Sequence, residues 1–359
     1  MSKNKELSFN EKCVLYGLVR FPVMPFVQVA KTIGIAQPTF SNIQRRLKRD
    51  RYYSVVGLPD LRALGLNLVS VMYGTFNPIS TDLERRALEQ GLRNAHPEIF
   101  FMVGGVHNLL IFLTSNDFVE MSKAIESVET AYVKKGIMNK DAFAKVTFSL
   151  ETTLLARWFD YSNPLYIKFN LNERNIPPPE GIRKSIEKRA PMPEMNQNEL
   201  KVLLRLLEDP EASEISTAKA LAISRTTVAK ARTKLITGGL ITRCVIPNIQ
   251  LLGFEVFTFS DTEFKVETTY SQRFSSTQWL LERLPIVLSI ITNQQALTLY
   301  AFETFHLLQD MKRLALREYV GKGYLKGEIK SIIYAASEIE SPPGPNFVPI
   351  FKKVIGPDL

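Results

Sequence analysis

The sequence predicts an α+β chain that runs through one plan twice, a winged helix-turn-helix followed by a βαββαβ sheet domain. Three observations predict it. Residues 37–48 and 224–235 both read as the second helix of a helix-turn-helix. Residues 10–66 can be laid on residues 198–254 without a gap, at an offset of 188. After each such block, the apolar spacing alternates between a period near 2 and a period near 3.6, as strands and helices require.

The bulk numbers bound the rest. At 359 residues the chain is long enough for two or more domains. A hydrophobic share of 45% with 23% charged residues excludes a disordered chain. No run of eighteen apolar residues occurs, and the opening stretch MSKNKELSFN has no apolar signal core. A cytoplasmic protein that does not enter a membrane is expected. Cys13 and Cys244 fit a reduced compartment and lie in no metal-binding pattern. His96 and His306 have no Cys or His companion at ligand spacing, so neither a metal nor a cofactor is expected. The net charge of +9 suits a polyanionic partner. Ten Lys/Arg stand against three Asp/Glu in residues 1–58.

In the second copy, Ile215, Ala218 and Leu221 form one short apolar helix face, residues 222–224 a turn, and Val228, Ala231 and Leu235 a second face. Ser224 stands where an N-cap is wanted. Gly238-Gly239 ends the helix, and residues 240–246 read as a wing. In the first copy, residues 10–19 and 26–33 are the leading helices, 34–36 the turn, and 52–57 the wing. Pro38 suits a first helical turn, where its missing N–H would be unpaired anyway. With Phe40, Ile43 and Leu47 inward, Gln37, Ser41, Asn42, Arg45, Arg46 and Arg49 face outward. Arg225, Thr226, Lys230, Thr233 and Lys234 do so in the second copy, with Arg51 and Arg243 on the wings. Arginine pairs with guanine edges, amides pair with adenine edges, and all of them can reach phosphate, so double-stranded DNA is the expected partner.

The sheet domain of the first copy is expected as strand 66–75, helix 82–94, hairpin 99–103 and 109–114, helix 117–135 and strand 145–150. The second is expected as strand 254–260, helix 276–284, hairpin 286–291 and 297–302, helix 305–320 and strand 329–334. The order β-α-β-β-α-β is the ferredoxin-like plan. The hairpins are laid together with Leu109 on Leu297, which keeps the offset of 188. Each copy closes in a Pro-aromatic tail, Asn163–Tyr166 and Asn346–Phe351, read as an extra strand. The expected boundaries are 1–58, 59–169, a Pro-rich charged linker 170–195, 196–247 and 248–359.

A helix-turn-helix that leads through Pro247-Asn248-Ile249 and Leu252-Gly253-Phe254 into such a sheet domain resembles the Lrp/AsnC regulators. The first copy carries the same signature as Pro59-Asp60-Leu61 and Leu64-Gly65-Leu66. The resemblance implies sequence-specific DNA binding by a transcriptional regulator, with one chain imitating a dimer of single-copy members and open to further self-association. It also implies an amino-acid effector near the turn between the second and third strands. There the chain has Gly105, His107 and Asn108 in one copy and Thr292, Asn293 and Gln295 in the other, without the family's usual Asp. Siroheme decarboxylases share the same domain plan, and some are fused pairs. The Asp60–Gly65 stretch and Gly105-Val106-His107-Asn108 are similar to theirs, though their Thr-His-Asn-Tyr-like stretch is missing. A protein-interaction module is the third reading. It predicts no salt-dependent affinity for DNA.

Overall fold

The computed structural model of the chain describes residues 6–174, 176–179, 195–339 and 344–356. In chain order the first copy contributes α1 (Phe9–Arg20), α2 (Phe26–Thr32), α3 (Gln37–Arg49), β1 (Tyr53–Pro59), β2 (Leu68–Thr75), α4 (Asp82–Ala95), β3 (Ile99–Gly104), β4 (Asn108–Ser115), α5 (Phe118–Lys134), β5 (Phe143–Ser149), β6 (Leu154–Arg157) and α6 (Ser162–Lys168). The second contributes α7 (Gln197–Glu208), α8 (Glu214–Leu221), α9 (Arg225–Thr237), β7 (Ile241–Pro247), β8 (Val256–Glu263), α10 (Tyr270–Arg283), β9 (Ile286–Ile291), β10 (Gln295–Phe302), α11 (Phe305–Gly321), β11 (Lys330–Ala335) and α12 (Val348–Ile355). None of the described helices is long and apolar enough to cross a membrane.

The helices begin where their caps dictate. Ser8 and Asn196 head α1 and α7 with reciprocal bonds to Glu11 and Glu199, which satisfy backbone groups that would otherwise be orphaned. Thr81 and Thr269 do the same for α4 and α10. The cap at Thr269 starts α10 at Tyr270, earlier than the apolar spacing from residue 276 suggests. Thr269-x-x-Gln272 is the signal for it.

The compact units cut across the two copies. One gathers Met1–Ser54, Thr153–Ile186 and Val245–Pro342. The other gathers Val55–Thr152, Glu187–Cys244 and Pro343–Leu359. Each therefore holds the helix-turn-helix of one copy and the sheet domain of the other.

In the first unit the sheet runs β11-β8-β10-β9-β6, which is the ferredoxin-like strand order with β6 added at the edge of β9. Both faces are buried, so β9, Ile286–Ile291, reads as an apolar run broken by Ser289 alone rather than as an alternating pattern. The tail of the first copy supplies β6 and then α6. Asn163 on α6 donates its side-chain amide to the carbonyls of Leu281 and Leu284. Tyr16 on α1 packs against Tyr166, ring centres 5.6 Å apart and tilted by 47°, and donates its hydroxyl to Pro177 O at 2.6 Å. The stretch 163–166, expected as an extra strand, is thus helical throughout, and the added strand β6 precedes it. Of the expected linker 170–195, residues 175 and 180–194 lie outside the described residues.

In the second unit the sheet runs β3-β4-β2-β5 over a continuous core that includes Met72, Leu92, Met102, Leu109, Ile111, Leu113, Val128 and Tyr132. The tail of the second copy is also helical. Phe347 stacks at 4.8 Å on Phe100, and Lys353 on α12 bonds Glu98 and Glu120 at 2.7 and 2.8 Å. The expected wings are single strands that pair with one another, β1 with β7, instead of a hairpin within each copy. In this unit Asp60 N–H donates to Leu240 O at 2.9 Å. Gly57 sits so close to α7 that a Cβ there would meet Leu206 O at 2.9 Å, which is why the position has no side chain.

The duplication is visible element by element, with one correction. The offset of 188 holds from α1/α7 to α4/α10, but Ile99 and Ile286 open equivalent strands and stand 187 apart. The segment between α10 and β9 is one residue shorter than its counterpart between α4 and β3. Leu109 therefore corresponds to Ala296 rather than Leu297, and Asn108 to Gln295.

Candidate nucleic-acid interface and second-domain cavity

The helix-turn-helix of each copy is organised by its second helix. Phe40 and Leu47 bury α3, and Val228, Ala231 and Leu235 bury α9. Gln37, Asn42, Arg45 and Arg49 are exposed, while Ser41 and Arg46 are half-buried. On α9, Arg225, Thr226, Lys230, Thr233 and Lys234 are exposed. Ser224 caps α9, accepting a bond from Thr227 N–H at 3.0 Å. Ser224→Ala is expected to cost about 1 kcal/mol in urea unfolding.

Several of the basic residues have partners within their own module. Arg46 pairs with Glu11, and at the equivalent place Lys234 pairs with Glu199 at 2.8 Å. Both tie the second helix to the first. Lys234 holds the Glu199 carboxyl below the usual carboxylate range. This bridge therefore adds stability that is complete above the ordinary carboxylate pKa and is lost as pH falls through the lowered value. Arg225 meets Glu214 at 3.2 Å, Arg243 meets Glu211 at 3.7 Å, and Arg49 meets its neighbour Asp50 at 2.9 Å. Arg45 bonds Asn42 at 2.7 Å along its own helix. Exposed pairs of this kind are worth about 0–1 kcal/mol and yield readily to a stronger anion.

Backbone geometry separates the copies more sharply. In the turn, Gly34 has φ +69°, and Ala222 at the equivalent position has φ +53°. A Cβ at Gly34 would meet nothing, so Gly34→Ala should cost about 1 kcal/mol from the left-handed backbone alone. Ala222→Gly should relieve a similar strain, in part offset by a more flexible unfolded chain. Just past the recognition helix, Gly239 has φ +68°, and at the same place in the first copy Arg51 has φ +58°. The first copy thus keeps an exposed arginine where the backbone asks for glycine.

The expected effector residues sit in two closed turns. Gly105 N–H donates to Asn108 O at 2.8 Å, and His107 O accepts from Phe76 N–H at 2.7 Å, leaving the imidazole exposed. Thr292 Oγ1 accepts from Gln295 N–H at 3.0 Å, and Gln295 donates its side-chain amide to Asp261 at 2.7 Å. Arg273, fully buried, donates to Thr292 O and Asn293 O at 3.1 and 2.6 Å and lies 3.7 Å over the Phe264 ring. In each copy the bonds of these residues close the turn itself. His96 meets Ser127 Oγ at 3.1 Å, and His306 meets Asp310 one helical turn away. Among the described residues, no group of His, Cys, Asp and Glu could hold a metal ion.

One feature escapes the sequence reading. In the first unit a cavity of about 360 Å³ lies between the sheet β11-β8-β10-β9 and the helices α10 and α11. Its floor carries hydroxyls on neighbouring strands, including Thr258, Ser260, Ser289, Thr298 and Ser331. The signal was present as Thr-x-Ser-x-Thr at 258–262, a polar face on a strand whose other face, Phe257 and Phe259, is apolar and buried.

The chain matches no protein-family model and no curated protein. Solved structures resemble it. A siroheme decarboxylase, NirDL, aligns over 96% of this chain and 98% of its own at 12% identity, with a TM-score of 0.51. The same enzyme in complex with an iron-uroporphyrin III analogue aligns over 97% and 99% at 11% identity, also at 0.51. AsnC of E. coli aligns over 39% of this chain and 92% of its own at 16% identity, with a TM-score of 0.32. At such identities the likeness concerns the fold. The α+β class with Lrp/AsnC-like domains stands, and the full-length likeness is to NirDL.

Proposed function

We propose that the chain is a sequence-specific DNA-binding transcriptional regulator whose first copy makes the stronger contacts. The observation that carries this reading is Arg51. A left-handed backbone costs a non-glycine residue about 1–2 kcal/mol, and such strain collects at functional positions. The sister copy avoids that cost with Gly239. Arg51 follows directly on α3, whose exposed face offers Gln37, Asn42, Arg45 and Arg49. Arg51→Gly should make the protein more stable by roughly 0.5–1 kcal/mol and weaken DNA binding, with a salt slope shallower by about one. Greater stability with unchanged DNA affinity would leave Arg51 without a role.

The end-to-end likeness to NirDL favours a second reading, an enzyme acting on a carboxylate-bearing tetrapyrrole. Against it, His96 and His306 are bonded to Ser127 and Asp310, and among the described residues that line the second-domain cavity Lys312 is the one cation. A substrate with several carboxylates needs several cations. Adding siroheme and recording the absorbance decides the matter. A saturable shift of the Soret band favours the enzyme, and an unchanged spectrum favours the regulator.

A further inference from the structure

The two sheet domains descend from one plan, so each is the other's control. On the helix-covered face of β3-β4-β2-β5, one row of paired residues reads Met102, Ile111, Met72 and Lys145. The equivalent row in the first unit reads Ser289, Thr298, Ser260 and Ser331. On the next row Leu109 gives way to Ala296, and on the third Leu113 gives way to Tyr300. Two methionines, an isoleucine and a leucine are thus replaced by two serines, a threonine and an alanine. Trimming side chains in this way opens space unless the domain collapses around it. Here it remains open, as the cavity, and the buried apolar residues fall into two clusters bridged by the half-buried Tyr300 and Met311.

A core emptied by chance would be lined by carbon. This one is lined by hydroxyls in a patterned row, and they are incompletely satisfied. Ser289 and Thr298 bond each other at 3.3 Å, and Ser260 bonds Tyr300 at 3.4 Å. Thr258, 1% exposed, has a hydroxyl with no partner among the described residues, and so has Ser331. A buried hydroxyl left without a partner costs about 1–3 kcal/mol. Both line the cavity. The opposite wall is apolar, with Leu280, Leu281, Leu308, Met311 and Ala315. Charge occurs as one of each sign, Lys312 and Glu328.

From this we infer that the second sheet domain is a binding site for an uncharged, mainly apolar small molecule carrying hydroxyl or carbonyl oxygens. The apolar body lies under α10 and α11, and its oxygens meet Thr258 and Ser331. The volume falls in the range of about 300–1,000 Å³ used by small-molecule sites, and an apolar wall with a few convergent polar groups is their usual make-up. The cavity lining does not include the turn 292–295, and the site stands whether or not α3 and α9 read DNA.

The test uses the full chain and the uncharged fluorophore N-phenyl-1-naphthylamine. Saturable one-to-one uptake is expected, with 2-naphthol displacing the fluorophore about fivefold better than 2-methylnaphthalene, as one added hydrogen bond allows. Thr258→Val should abolish that preference while uptake persists. The triple variant Ser260→Met, Ser289→Met, Thr298→Ile installs the sister domain's residues and should lower uptake at least tenfold. Ala296→Leu does the same with a single change and serves should the triple variant fail to fold. No uptake by the native chain overturns the inference, as does unchanged uptake by a folded, filled variant. Equal competition by the two naphthalenes overturns the assignment of the hydroxyls.

Discussion

A chain carrying Arg45→Ala and Arg49→Ala is expected to lose most of its affinity for duplex DNA while remaining folded. The loss should be roughly 1–3 kcal/mol for each arginine that reads a base, and the salt slope should flatten by about one for each that meets a phosphate. Both side chains are exposed, and their partners are a helix neighbour and the adjacent Asp50. Removing them should change unfolding free energy by less than about 0.5 kcal/mol. That separation is what the measurement exploits: fluorescence anisotropy at several salt concentrations beside a urea melt. The basic pair on α9, Arg225→Ala with Lys230→Ala, should lose less, because the second copy has Gly239 where the first has the strained, exposed Arg51. A larger loss from the second pair would reverse the assignment of the stronger reader.

The largest effect on stability is expected at Arg273. Its guanidinium is fully buried, holds two carbonyls of the 292–295 turn and covers the Phe264 ring. Burial in this ring-lined place pushes its pKa below the ordinary arginine value. Arg273→Ala would leave the two carbonyls without their donor and open a void beside Phe264, at a cost of roughly 2–5 kcal/mol. A urea midpoint that hardly moves would show that the turn holds itself. Arg85 plays the matching part in the first copy, donating to Ser80 O at 3.1 Å and lying 5.1 Å from the Phe76 ring centre. The position is therefore part of the plan and not specific to a ligand at one turn.

Much of the plan was legible because local signals set it. The cap at Ser224, the apolar faces of α3 and α9, and the largely apolar runs of β3 and β9 all depend on near neighbours in the chain. What escaped depends on distant ones. Nothing near Asn163 says that it will bond the end of α10, and a Pro-aromatic tail reads as strand as easily as helix. The wing strands looked self-sufficient because pairing between β1 and β7 spans most of the chain. The hairpin offset slipped because a one-residue deletion beside Pro285 is invisible until strand register reveals it. The same slip hid the cavity, since laying Leu109 on Leu297 matched an apolar residue to an apolar one and concealed the change to Ala296. At the recognition helices, the sequence showed which residues face outward but not that Arg46 and Lys234 bridge to the first helix.

The most direct test of the regulator reading is affinity for mixed-sequence duplex DNA over a range of salt, followed by selection of bound sequences from a random pool. Affinity that falls steeply with salt, with a pool converging on two unlike half-sites, is the result this account predicts, since α3 and α9 expose different side chains. Absence of salt-dependent binding would contradict it, and a Soret shift on adding siroheme would then point to the enzyme.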